Sequence, residues 1–320
     1  MRSSFKIDEI SRVILQNFWG EDGCDAYDAN KYSRLYHYTS PDAGLKILEV
    51  GKENCGFAFT HFEYLNDDAE FKLGLEVAKK WIRANEKLKT SGILYDRIET
   101  KLKELEKKHC YIPYVLSLST KADSTELWMS YSEREKGGYA IGLDSKKIFE
   151  LVDSQPDMYA IRNGHRVKLA RYMFAPCLYC RKESVSKYWK AERDRLSCVL
   201  NTFFDGYLDA RVEESEEFAL WCASRLFQFA ALFKSSDFRF EREWRLVIKP
   251  LSSDYLRELK FIGGKPRIIP TCFPMNSCVQ NIIVSPHGQK SLLKRSVELM
   301  LGKAGMKTKA RESASTYNGR

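Results

Sequence analysis

The chain has 320 residues, 44% hydrophobic and 30% charged, with a net charge of +9. That balance excludes a disordered chain and suffices for a sizeable core. No apolar run approaches the ~18 residues of a membrane-spanning helix. The N-terminal MRSSFKIDEISRVILQNFWG interrupts its apolar pattern with charges, unlike a signal peptide. A cytoplasmic protein without a membrane partner is expected.

Residues 5–19 carry Phe5, Ile7, Ile10, Val13, Ile14 and Phe18 at roughly helical spacing. RLYHYTS (34–40) reads as an aromatic strand stopped by Pro41, and DAGLKILEVG (42–51) as a short helix ending at Gly51. GFAFTHF (56–62) is a second strand. A helix over 66–88 follows, with Asp67 and Glu70 at capping-box spacing and the cap at Asn66 or Asp67. The charged helix near 95–108 is predicted to pair with it as an exposed hairpin. Strands are predicted over 114–120, 137–144, 166–174 and 241–249, with a short helix over 124–134. Longer helices are predicted near 184–211 and 214–233, short strands over 267–273 and 281–286, and a last helix near 288–302. Strands and helices mix without a βαβ rhythm, which predicts an α+β fold. The organisation reads as a helix and linker (1–33), one α+β domain (34–302) with helical insertions near 66–110 and 184–233, and a basic tail (303–320).

No GxGxxG follows a strand, and GxxxxGK[ST], GxSxG and HExxH are absent. The nine cysteines are scattered, which argues against a disulfide framework. Cys177 and Cys180 form a CxxC without a second ligand pair, so they read as two half-buried thiols beside a turn and no metal is expected. Residues 290–320 hold eight basic and two acidic side chains, most of the positive excess. Such a tail attracts nucleic acid weakly or is simply solvated.

Three segments look like parts of a site. In Tyr36-His37-Tyr38-Thr39, alternation places His37 and Thr39 on one face and the tyrosines on the other. Trp128 and Tyr131 share a helical face ahead of Gly137-Gly138-Tyr139, and such rings can flank a planar ligand. In Glu241-Arg-Glu243-Trp-Arg245, alternation places both acids and Arg245 on one face. Each pattern also fits ordinary packing: a half-buried histidine, a helix on a sheet, a salt-bridged sheet surface.

Taken together, YHYTSPDAGLKIL, FTHFEYLNDDAEF, VLSLSTKADSTELWMSYSEREKGGYAIGLD and FKSSDFRFEREWRLVI resemble a bacterial and phage-associated family, the domain-of-unknown-function family 2971, over about 34–286. More distantly, the His-Tyr-Thr strand and the late strand opening with glutamate resemble the His-Tyr-Glu branch of the ADP-ribosyltransferase superfamily. That resemblance implies a split, twisted, mainly antiparallel sheet and NAD as substrate. It implies that His37 and Thr39, beside Tyr38, hold the adenosine ribose. Tyr131 or Tyr139 would stack on nicotinamide near Trp128. Glu243 would stabilise the ribosyl cation, with Glu241 as second choice orienting the acceptor. Arg245 and Lys234 would contact the pyrophosphate. The acceptor would be a macromolecule, protein or nucleic acid, or else water. Two alternatives stand beside this: a non-catalytic nucleotide- or nucleic-acid-binding module in regulation or defence, and a nuclease using Asp67 and Glu70.

Overall fold

The computed structural model describes residues 11, 13, 14, 32–49, 56–65, 69–84, 92–108, 111–180, 194, 196–200, 215–270 and 273–317. The helices expected over 5–19 and 184–211 lie largely outside these residues, as do Asn66, Asp67 and Gly51.

Ser40 ends the first strand, β1 (Arg34–Thr39), and caps α1 (Pro41–Leu48), accepting from the Ala43 amide at 3.4 Å. Pro41 follows it at the first helical position. β2 (Phe59–His61) precedes α2 (Ala69–Ala84) and α3 (Gly92–Lys107). Leu94, Ile98, Leu102 and Leu105, at three- and four-residue intervals, are all buried. They face α6 (Glu216–Ala230), so the pair is not exposed as expected: α3 packs on α6 and is also joined to α2 by Lys79–Glu106 and Arg83–Glu99, both at 2.9 Å. Arg97 and Lys101 fix the contact through Glu216 at 3.3 and 3.1 Å.

β3 (Tyr114–Ser119), α4 (Thr125–Tyr131) and β4 (Tyr139–Asp144) follow the sequence reading closely. α5 (Ser145–Ser154), capped by Asp144, and β5 (Asp157–Arg162) were not expected. The remaining strands are β6 (His165–Pro176), β7 (Leu178–Cys180), β8 (Phe233–Ser235), β9 (Glu243–Pro250), β10 (Leu259–Ile262), β11 (Lys265–Ile268), β12 (Val279–Val284) and β13 (Lys309–Glu312). α7 (Lys290–Lys303) precedes β13. The tail therefore supplies a strand, pairing parallel to β12, rather than a solvated end.

The fold is α+β, with a large, mainly antiparallel open sheet that divides. In one half, β1, β4, β12 and β13 pair in that order; in the other, β5, β6, β9, β3, β2, β11 and β10 do. The halves meet at one register pair, Tyr36 opposite Ser119. The same edge of β3 takes β2 at Tyr114 and Val115, so β1 and β2 diverge on either side of Ser117. Beneath the opposite face, Trp244 packs against Phe174 and Phe149 at 5.2 and 5.9 Å between centroids. That aromatic core fixes β9, whose other face carries the charges.

Candidate active site at the split of the sheet

Where β1 and β2 part, a cleft of about 450 Å³ opens, lined by β1, α1, β3, α4, β11 and the start of β9. The volume suits a small organic ligand. His37 bridges the gap: its Nδ1 donates to the Ser117 carbonyl at 3.0 Å. That tautomer leaves Nε2 as an acceptor. Burial lowers the His37 pKa, the Ser117 bond opposes this, and the Arg267 charge lowers it further, which favours neutral imidazole.

The cleft floor is a buried charge cluster. Arg245 uses all five of its N–H groups: Nε donates to Glu243 at 2.9 Å, Nη1 to the Ala231 and Phe233 carbonyls at 2.8 and 3.0 Å, and Nη2 to Glu70 at 2.5 Å and Glu243 at 3.4 Å. Lys234 Nζ lies 2.6 Å from Glu243, 3.0 Å from Glu241 and 3.4 Å from Glu70. Among the described residues, three carboxylates thus face two cations, leaving one negative charge in excess.

That excess resides at Glu241. Burial and the neighbouring Glu243 charge push its carboxyl above the usual range, against the pull of Lys234. Burial also acts on Glu243, but Arg245 and Lys234 overcome it and hold that carboxyl well below the usual range. Both Glu243 oxygens carry ion-pair contacts. Among the described residues, Glu241 Oε1 receives only the Tyr131 hydroxyl, 3.2 Å from each carboxylate oxygen. The two acids share a face for a reason that strand alternation misses. Glu241 ends a 3-10 turn, and Arg242 between them adopts left-handed φ/ψ of 48° and 51°. Ser119 Oγ clamps the Glu241 carbonyl at 2.5 Å.

Of the residues singled out from sequence, His37, Tyr38, Thr39, Tyr131, Lys234, Glu241, Glu243 and Arg245 line the cleft. Tyr139 and Trp128 do not. The Tyr139 ring lies under Gly44 of α1, where an added Cβ would sit 2.4 Å from it, and its hydroxyl donates to the Leu293 carbonyl at 3.1 Å. Trp128 is fully buried, donates to Asp123 at 2.7 Å and packs edge-on to Tyr38 at 4.8 Å. Of the two candidate middle tyrosines, only Tyr131 reaches the acidic cluster. The Tyr38 hydroxyl is occupied, donating to the Lys121 carbonyl and accepting from the Ser124 amide, both at 3.0 Å. Arg245 and Lys234 are committed to carboxylates, so neither is placed to bind a pyrophosphate.

Glu70, read from sequence as a capping residue, instead turns inward to Arg245 and Lys234. Its first-turn position gave an ordinary explanation that hid this role. Arg267, Lys265 and Lys46, also on the cleft wall, carried no local motif. Cys177 and Cys180 are buried thiols at β7, more enclosed than expected.

Residues 127–246 match DUF2971, a family of proteins of unknown function. No curated protein and no solved structure matches the chain. The DUF2971 segment holds Tyr131, Lys234, Glu241, Glu243 and Arg245, and leaves His37, Glu70 and Arg267 outside. Among the described residues no helix is long and apolar enough to cross a membrane.

Proposed function

We propose that the protein binds NAD in the split-sheet cleft and cleaves its nicotinamide–ribose bond, transferring ADP-ribose to a macromolecular acceptor, protein or nucleic acid. The observation that carries this reading is the carboxylate on the cleft floor that pairs with one cation where its neighbours pair with two, Glu241, held by Tyr131 and Lys234. As the glycosidic bond breaks, its electron pair leaves with nicotinamide and positive charge develops on the ribose. A preorganised carboxylate stabilises that charge where it forms. The oxocarbenium carbon then bonds to the acceptor nucleophile, whose proton passes to Glu241, a carboxyl with a raised pKa.

In this reading Glu241 takes the leading role, ahead of Glu243. Glu243, Lys234, Arg245 and Glu70 hold the floor rigid. Nε2 of His37 accepts from an adenosine ribose hydroxyl, with Thr39 beside it. A non-catalytic nucleotide-binding module is the second reading. The full pairing of Glu243 favours it, because a locked cluster also serves a site that turns nothing over. Incubating the purified chain with NAD and following products by mass spectrometry separates the two. Released nicotinamide supports cleavage; tightly bound, intact NAD supports the module.

A further inference from the structure

Arg267 sits on β11 opposite Thr60, on the cleft wall away from the acidic floor. Among the described residues, its Nε is buried without a hydrogen-bond partner and its guanidinium makes no ion pair. Burial lowers its pKa, as it does for a cation taken from water without compensation. A guanidinium left this way contrasts with Arg245, on the same cleft, whose every donor is used.

Two more cations share that wall. Lys265 Nζ donates to the Tyr64 carbonyl at 2.9 Å, which leaves two of its N–H groups for another acceptor. Lys46, in the last turn of α1, lines the cleft without an ion pair among the described residues. Among the described residues, no carboxylate from this wall opposes them; Glu70, Glu241 and Glu243 are gathered at the floor. The cleft is therefore polarised, cationic on one wall and anionic beneath.

We infer that Arg267, with Lys265 and Lys46, forms an anion subsite that takes the diphosphate of a dinucleotide substrate. The planar guanidinium fork suits phosphate oxygens, and the acidic floor repels an anion toward this wall. A ligand with a central diphosphate and a centre that becomes cationic matches both ends of the cleft. The assignment rests on the NAD reading above and moves phosphate recognition from Lys234 and Arg245 to residues with free donors.

Calorimetric titration of the full chain with ADP, adenosine and inorganic pyrophosphate tests it, using wild type, Arg267→Gln and Arg267→Lys. Wild type is expected to bind ADP about tenfold or more tighter than adenosine, with pyrophosphate displacing ADP. Arg267→Gln should erase that preference and leave adenosine binding unchanged; Arg267→Lys should keep part of it. If Arg267→Gln does not fold, the lysine variant and Lys265→Gln carry the comparison. Equal ADP affinity in wild type and the variants, or no ADP preference in wild type, overturns the subsite. Nicotinamide release separates the two claims. An Arg267-dependent ADP preference without release from NAD keeps the subsite and removes the transferase reading. NAD turnover with an unchanged KM in Arg267→Gln does the reverse.

Discussion

Glu241 and Glu243 stand two residues apart in the same cluster, yet their ionisation bears on stability with opposite sign. Glu243 titrates below its unfolded value of about 4.3 because Arg245 and Lys234 outweigh its burial. Its ionised form stabilises the fold above that value, and the contribution is lost as pH falls through the depressed native pKa. Glu241 titrates above its unfolded value through burial and the Glu243 charge. Its ionised form therefore opposes folding at neutral pH, and the penalty fades as pH falls toward about 4.3. Glu241→Gln should raise Tm at pH 7, with a gain that shrinks in acid. Glu243→Gln should lower stability at pH 7 by about 3–5 kcal/mol, because it leaves Arg245 and Lys234 short of a buried partner. Thermal melts of both variants across pH 4–8 test this; shifts of the same sign at pH 7 contradict it. The sequence showed two acids and an arginine on one face. It could not show which acid was neutralised, because Glu70 arrives from α2, far earlier in the chain, and the turn that folds Lys234 back onto the acids carries no periodic signal.

Two local devices position the cleft walls. Arg242 adopts left-handed φ/ψ, which disfavours β-branched residues and turns Glu241 toward Tyr131. Arg242→Val should destabilise by about 1–2 kcal/mol and Arg242→Gly by less, read from urea midpoints. A Val variant as stable as wild type would contradict the strain. The second device is the strap after β13. Asp123 accepts from Trp128 Nε1 at 2.7 Å, Ser313 Oγ at 2.5 Å and the Ala314 amide at 2.8 Å, tying the C-terminal segment to α4, which carries Tyr131. Asp123→Ala should cost about 1–3 kcal/mol by leaving the buried indole donor unmet. It should also quicken proteolysis after β13; unchanged stability and cleavage would contradict the strap. Strand boundaries such as β1, β3 and β4 were legible because alternating apolar residues and Gly or Pro mark their ends. β13 was not legible, because KARE carries no apolar period and is ordered by pairing with β12. The pairing of α2 with α3 was legible but its exposure was misread: the charge density of α3 masked an apolar face that α6 covers.

Across the whole molecule, the division of the sheet brings together residues from the two ends of the chain. His37 and Glu241 are some two hundred residues apart in sequence and line one cleft, because β1 and β9 both flank β3. The α+β class followed from the irregular order of strands and helices. The polarity of the cleft did not, because Arg267 and Lys265 differ from other surface cations only once β11 is docked on β2. In the proposed reaction, Glu241 stabilises positive charge developing on a bound ribose. Such an interaction acts on the transition state more than on ground-state binding. The most direct measurement is the rate of nicotinamide release from saturating NAD by wild type and Glu241→Gln, with NAD affinity determined on both. Turnover should fall on the order of 10²–10³ while the NAD Kd changes little. Equal turnover in the two proteins, or no nicotinamide release by wild type, would contradict the account.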